Sequence, residues 1–215
     1  RYLKLGVQRS TAPAGTPYEL DHNGPNVAFK MKDAGPLYIG EVGVKRPASK
    51  DGKQIWVRAG ALYNDSNYTR FDGQGTAANK TVYGAADFQL TQPDRAQPSH
   101  GVYAGASVFW APSNVNSMTQ FYEGRVYHLG PFASRPLDSV ALRVGYTKFS
   151  DDAQTANAAQ EIYANDHQFS VTGSYTFHAT HGLYLTPGVA YIKNPSFIGR
   201  FKDALNLSGT IYVLL

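Results

Sequence analysis

Cysteine is missing from this chain of 215 residues, and so is any long apolar run. Without cysteine, neither a disulfide framework nor a thiolate metal site can form. Although 42% of the residues are apolar, no run approaches the roughly 18 residues of a membrane-spanning helix. These two absences exclude small disulfide-stabilised folds and helical membrane spans.

A strong charge of one sign is lacking as well. The formal net charge is only +4, and the basic residues are scattered along the chain. A nucleic-acid-binding protein should cluster lysine and arginine on one face, so no nucleic-acid partner is predicted. No signal peptide precedes the opening "RYLKLGVQRS", and we therefore expect either a mature product or a piece of something longer.

Aromatic residues and glycine are abundant, with 15 Tyr, 11 Phe and 21 Gly. Helical periodicity is nearly absent, and "DDAQTANAAQ" at 151–160 reads as a polar loop with one helical turn. Segments of period two, bounded by Gly, Pro, Asn and Asp, recur from end to end and predict strands. The predicted strands are 2–9, 36–46, 54–64, 80–91, 100–111, 117–129, 137–149, 161–177, 181–193 and 203–215, with 26–32 as a further candidate.

Two all-β architectures fit these strands. One is a soluble sandwich or barrel, and the other is an outer-membrane barrel with short turns at one rim and long loops at the other. The linkers 47–53, 65–79 and 150–160 are long and polar, whereas 177–182 is tight. The strands exceed the roughly 5–6 residues typical of globular proteins, which favours the membrane barrel. Aromatic residues near strand ends favour it too, as interfacial girdles: Tyr38, Tyr63, Tyr83, Phe109, Trp110, Tyr127, Phe149, Tyr191 and Tyr212.

The final strand shows the alternation most clearly. Leu205, Leu207, Ile211, Val213 and Leu215 share one face, which would contact lipid in a membrane barrel. The other face carries Asn206, Ser208 and Thr210, and in such a barrel it would contact a water-filled interior.

Several consecutive segments resemble the carbohydrate-selective porin (OprB-type) family. They are "PLYIGEVGVKR" with Glu41, "IWVRAGALYNDSNYTRFDG" at 55–73, "GVYAGASVFWAPSNVNSMTQFYEGRVYHLGPFASRPLD" at 101–138 and "GLYLTPGVAYIKNP" at 182–195. Within the third segment, "RPLD" matches the family's Arg-Pro-x-Asp turn. The resemblance follows chain order over nearly the whole sequence.

The resemblance implies an antiparallel transmembrane β-barrel of about 16 strands. It also implies a Gram-negative outer-membrane location, a homotrimer or a membrane complex, and passive diffusion of sugars. About ten of the strands are present here, so residues 1–215 are expected to form one barrel domain, the C-terminal portion of a longer porin. The last strand should then lie beside a first strand that this sequence does not contain.

The family's Asp-Gln pair is split here as Asp87-Phe88-Gln89, and four single positions also depart from the family pattern. Gly188 and Ala190 stand where Asp and Gln are usual in the penultimate strand, and Ser107 stands where Arg is common. Leu215 replaces the terminal aromatic residue. The changes at Gly188, Ala190 and Ser107 remove polar side chains of the kind that line the lumen, which weakens the prediction of sugar selectivity.

The alternation assigns a set of polar and aromatic residues to the lumen. Aromatic rings could contact the apolar face of a sugar, and bidentate donors and acceptors could bind its hydroxyls. The same residues could instead pair with one another and with water. The substrate-binding candidates are Trp56, Arg58, Tyr83, Asp87, Gln89, Arg143 and Tyr184.

Other candidate sites are weaker. The "HATH" pair, His178 and His181, falls in a predicted turn without a neighbouring carboxylate, so a polar turn is expected rather than a metal site. "FDGQG" at 71–75 lacks the spaced acidic residues of a calcium loop. No Gly-x-Ser-x-Gly elbow with a partner histidine is present. The sequence therefore predicts no enzyme, metal or cofactor.

The predicted function is an outer-membrane porin that lets small hydrophilic solutes, sugars first, diffuse down their gradient, with outer-membrane lipid as the other partner. The alternative is a porin-like structural or assembly-partner subunit without open sugar transport, which the lost lumen residues favour.

Overall fold

The computed structural model describes residues 1–10 and 34–214. Ten strands form one antiparallel sheet in which each strand pairs with the next along the chain. The bounds are β1 Tyr2–Arg9, β2 Pro36–Arg46, β3 Ile55–Thr69, β4 Thr76–Gln89, β5 Gly101–Trp110, β6 Met118–Leu129, β7 Ser139–Phe149, β8 His167–Thr180, β9 Leu183–Lys193 and β10 Ala204–Val213. The all-β antiparallel prediction is confirmed, whereas the candidate strand 26–32 lies outside the described residues.

The sheet has two chemically different faces, because successive side chains of a strand point to opposite sides. Glu41, Arg58 and Asp87 define what we call the polar face. Val57, Leu142 and Leu207 lie on the other side, the apolar face. Leu207 is 77% exposed, and most large apolar side chains on its face are at least 40% exposed.

These exposed residues exclude the soluble sandwich. A sandwich would bury one apolar face against a second sheet. Among the described residues, only Tyr103, Ala111, Phe149 and Ala153 are buried hydrophobic residues, and the strands belong to one sheet. The apolar face therefore has no protein layer packed against it within the described chain.

The sheet is open at both sides. Among the described residues, β1 pairs only with β2, and β10 pairs only with β9. Pairing of the last strand with a strand outside this sequence therefore stays a prediction.

The strand ends form two rims. One rim, the helix rim, carries α1 (Asp151–Ala158), and the opposite rim, the turn rim, carries the two-residue connection His181–Gly182. Gly182 has a φ of +69°, which glycine adopts without steric cost. In the outer-membrane architecture the long linkers would share one rim, and here they do not. The linker 47–53 lies at the turn rim, whereas 65–79 and 150–160 lie at the helix rim.

Two predicted loops contain regular structure. The segment 151–160 forms an eight-residue helix, because the Ser150 hydroxyl caps it by accepting a hydrogen bond from the Ala153 N–H. The segment 65–79 is largely strand, since β3 extends to Thr69 and β4 begins at Thr76. No helix in residues 1–10 and 34–214 is long and apolar enough to cross a membrane.

The aromatic residues near strand ends do not all share one face. Tyr38, Tyr63, Trp110 and Tyr191 lie on the apolar face near the helix rim, as predicted for a girdle. The register places four others on the polar face: Tyr83, Phe109, Tyr127 and Tyr212. Phe149 is buried and packs edge-on against Phe197.

The "RPLD" turn is fixed by the carboxylate of Asp138 at the turn rim. This carboxylate pairs with Arg135, and it accepts hydrogen bonds from the Tyr175 hydroxyl and the His178 N–H. Burial acts to raise the pKa of Asp138, but the bonds from Arg135, Tyr175 and the His178 backbone outweigh it. Together they lower the pKa to about 2. The turn between β6 and β7 is thereby tied to β8.

Candidate functional site

The carboxylate of Glu41 is the centre of one polar cluster. Glu41 accepts hydrogen bonds from the hydroxyls of Tyr83, at 2.6 Å, and Tyr2, at 3.0 Å. The Lys4 ammonium lies 3.7 Å away and the Arg58 guanidinium 3.9 Å away. The Glu41 side chain is 14% exposed, and its charge is surrounded by four groups from three strands, β1, β3 and β4.

Trp56 extends this cluster toward the turn rim. Its indole N–H donates to the Tyr2 hydroxyl at 3.0 Å. The Arg58 guanidinium carbon lies 3.8 Å from the centre of a Trp56 ring, and the Lys45 ammonium lies 4.7 Å from one. The aromatic surface that was predicted as a sugar contact therefore carries two cations, which attract the electron-rich ring face.

A second cluster is built on Asp87 and Arg125. The Arg125 guanidinium donates from Nη2 and Nε to the two carboxylate oxygens of Asp87, at 2.6 and 2.8 Å. Its Nη1 donates to Glu123 at 2.9 Å and to the Ser107 hydroxyl at 2.8 Å. Such a bidentate contact is stronger and more directional than a single bond. Asp87 is only 7% exposed.

Glycines on the intervening strands make both clusters possible. Glu41 and Tyr83 are separated by Gly60 in the cross-strand register, and Asp87 and Arg125 by Gly105. A Cβ at Gly60 would lie 2.5 Å from the Tyr83 ring, and one at Gly105 would lie 2.4 Å from an Asp87 oxygen. The missing side chains leave room for polar groups to meet across a whole strand.

Three of the predicted lumen residues lie outside these two clusters. Gln89 is 4% exposed, accepts from the Gln54 N–H and donates to the carbonyls of Pro98 and His100. It holds the connection from β4 to β5 at the turn rim. Tyr184 lies on β9 at the same rim, with its ring 4.9 Å from that of His178.

Arg143 is the third of these residues. It lies on β7 as the cross-strand partner of both Arg125 and Thr172, and its side chain is exposed. Among the described residues it forms no hydrogen bond, ion pair or ring contact.

The rest of the polar face has two zones. Toward the helix rim, three aromatic residues are consecutive cross-strand partners: Tyr83, Phe109 and Phe121. At the described paired positions of β8 to β10 the polar face carries no lysine, arginine, aspartate or glutamate. It contains Gly188 and Ala190 beside a set of hydroxyl and amide side chains. That set is Ser170, Thr172, Ser174, Thr176, Thr186, Asn206, Ser208 and Thr210.

The sequence therefore identified part of the clusters. Trp56, Arg58 and Tyr83 are brought together, and Asp87 lies in the second cluster. The roles of Glu41, Glu123 and Arg125 were missed. The signal was available in β6, where Arg125 and Glu123 alternate with Val126 and Gly124. The partner of Arg125, Asp87, however, lies two strands away on β4.

The loop candidates have structural partners. Asp72 of "FDGQG" forms an ion pair with Arg70 at 2.6 Å. Hydrogen bonds from the Arg70 side chain and the Gln74 N–H lower the pKa of Asp72. His178 lies at the end of β8 rather than in the turn.

Comparison with protein-family models gives a match over residues 2–211 to the model described as carbohydrate-selective porin, OprB family. A search of curated protein sequences gives no match.

Two solved structures are similar, both of OprB from Pseudomonas putida. The high-pH structure is 17% identical, with a TM-score of 0.76, and the alignment covers 98% of this chain and 55% of that one. The low-pH structure is 16% identical, with a TM-score of 0.58, and the coverage is 98% and 61%. This chain thus spans a little over half the length of these proteins, and the likeness supports a porin-type sheet.

Proposed function

The chain belongs to the carbohydrate-selective porin, OprB family, and on that premise we propose that its polar face lines a water-filled pore. Small hydrophilic solutes, sugars first, diffuse through this pore down their gradient. The apolar face contacts the lipid of a Gram-negative outer membrane. Transport of this kind needs no covalent step and no cofactor, because selectivity comes from pore width and the groups that line it.

The division of the sheet into two faces is the observation that carries this proposal. Leu205, Leu207 and Ile211 are 68–77% exposed on one side of β10, while Asn206, Ser208 and Thr210 occupy the other. A soluble protein would expose the polar side and cover the apolar one. A membrane barrel does the opposite, with apolar residues toward lipid and polar residues toward the lumen.

The open edges support a larger closed barrel. The unpaired N–H and C=O groups of an edge strand have no water to bind in the hydrocarbon core. We infer that further strands complete the barrel between β10 and β1, to about 16 in total as in the larger porins. A homotrimer is the assembly that we propose for the closed barrel.

The clusters on the polar face match the chemistry of sugars. A pyranose presents hydroxyl groups around a ring with apolar C–H faces. The Glu41 cluster offers an acceptor surrounded by the donors of Tyr2, Tyr83 and Arg58, held in position by hydrogen bonds. The aromatic residues from Tyr83 to Phe121 offer ring faces for the C–H surface. We propose these two features as the sugar-contacting part of the polar face. Trp56 holds Arg58 in position and Asp87 holds Arg125.

Planar-bilayer recording of the full-length protein tests the proposal. Ion conductance that falls on addition of glucose is expected. Tyr83→Phe removes one hydroxyl from the Glu41 cluster and should weaken the glucose block about fivefold, as for a hydrogen bond of ~1 kcal/mol. Tyr122→Phe is the matched control, because Tyr122 lies on the apolar face.

Absence of any conductance would contradict the porin function and favour the assembly-partner alternative. Conductance that glucose does not reduce would leave a general porin without sugar contacts.

A further inference from the structure

We propose that Arg143 is an anion-binding site in the pore wall, so that acidic sugars carrying a carboxylate bind there more tightly than neutral sugars. The inference rests on the proposed function, since it requires that the polar face line the pore. It adds a solute class that the description of the family does not specify.

Arg143 and Arg125 are opposed on β7 and β6, on the same face of the sheet. Like charges at directly opposed positions destabilise a sheet. The repulsion is relieved at Arg125 alone, where Nε, Nη1 and Nη2 all donate to Asp87, Glu123 or Ser107. Arg143 has no such partner within residues 1–10 and 34–214, and its guanidinium is left exposed.

On the described strands, no carboxylate of the polar face is left over for Arg143. Asp87 and Glu123 are both bound to Arg125, and Glu41 is bound by Lys4, Arg58 and two tyrosines. At the paired positions of the polar face, the described strands carry five cations and three carboxylates. The cations are Lys4, Lys45, Arg58, Arg125 and Arg143, and the carboxylates are Glu41, Asp87 and Glu123.

The surroundings of Arg143 suit a sugar acid. A guanidinium binds a carboxylate through two parallel N–H donors, which a neutral hydroxyl cannot match. Beside Arg143, β8 presents Thr172 and Ser170, whose small hydroxyl side chains can bind sugar hydroxyls without closing the site. A carboxylate at Arg143 would also neutralise the charge that now opposes Arg125.

The test uses the full-length protein in planar bilayers, with two readouts. The reversal potential in a potassium chloride gradient reports ion selectivity, and the block by potassium glucuronate is compared with the block by glucose. For the unmodified protein we expect glucuronate to block at about two- to fivefold lower concentration, the range that an exposed ion pair supports.

Arg143→Gln should abolish the advantage of glucuronate and shift the reversal potential toward cation preference, while the glucose block is retained. Arg143→Lys should retain the reversal potential but lose most of the glucuronate advantage, because an ammonium does not bind a carboxylate bidentately. Lys193→Gln is the matched control. It removes the same charge from the apolar face and should change neither readout.

Equal block by glucuronate and glucose in the unmodified protein overturns the inference and leaves the sugar pore intact. An Arg143→Gln variant with unchanged selectivity and unchanged glucuronate block overturns it as well. Lack of conductance in the unmodified protein would overturn the proposed function, and this inference with it.

Discussion

Tyr83 reaches Glu41 across an entire intervening strand, and its hydroxyl lies 2.6 Å from the carboxylate. The two residues belong to β4 and β2, and Gly60 on β3 lies between them. The ring passes over the bare Cα of this glycine. The same arrangement recurs where Asp87 and Arg125 meet over Gly105. These two glycines let long polar side chains lie along the polar face instead of projecting away from it.

Gly60→Ala should displace the Tyr83 ring and break its bond to Glu41. The clash is with the end of a side chain, 2.5 Å from the new Cβ, so the backbone need not move. We expect a loss of stability of about 1 kcal/mol, the typical net worth of a hydrogen bond, and a weaker glucose block. Urea unfolding in lipid vesicles and bilayer recording measure the two effects.

Gly105→Ala should be more damaging. The new Cβ would lie 2.4 Å from an Asp87 oxygen and 2.8 Å from the Ala86 carbonyl oxygen, which belongs to the backbone. Overpacking of this kind costs about 1–3 kcal/mol, measured as a shift of the urea midpoint. Gly124→Ala is the control for both glycines, because nothing lies within 4 Å of its Cβ position. Equal effects at all three positions would contradict the role assigned to Gly60 and Gly105.

Stability should depend on pH through Asp138. The folded-state pKa of about 2 lies below the unfolded value near 4. The contribution of this carboxylate is therefore complete above about pH 4 and is lost as the pH falls toward 2. Asp138→Asn should lower the melting temperature at pH 7 and flatten its decline between pH 4 and 2. The control, Asp51→Asn, removes an exposed charge at the same rim. In this variant the melting temperature should fall between pH 4 and 2 as steeply as in the unmodified protein.

Arginine at two adjacent positions of β10 should have opposite outcomes. On the proposed assignment of the faces, Leu207→Arg places a charge in lipid near the middle of the strand and should destabilise the folded protein by about 2–4 kcal/mol. Ser208→Arg places the charge on the polar face and should change stability little. Refolding into vesicles at several urea concentrations measures both. Greater damage from Ser208→Arg would invert the assignment of the faces.

Local alternation was sufficient to place Arg58, Asp87 and Arg143 on one face, because a period of two is a property of a single strand. It could not show that Asp87 binds Arg125. That contact depends on the register of three strands, and the two residues are 38 positions apart. Gln89 lies on the predicted face of the sheet, but it lies where β4 ends. Its amide therefore donates to the carbonyls of Pro98 and His100 in the following connection.

The helix at Asp151–Ala158 was predicted only as a single turn within a loop, for a different reason. Its sequence is polar and its apolar residues are alanines, so no apolar stripe is available to reveal its period. The signal that remained was the cap, in which Ser150 precedes two acidic residues that favour a helix N-terminus.

Single cysteines offer the most direct measurement of which face lines the pore, since the chain has none of its own. Thr172→Cys lies on the polar face and Val144→Cys on the apolar face. Each variant of the full-length protein is recorded in a planar bilayer before and after addition of a water-soluble, charged methanethiosulfonate reagent. We predict a stepwise fall in conductance for Thr172→Cys and no change for Val144→Cys. A fall for Val144→Cys with none for Thr172→Cys would contradict the account.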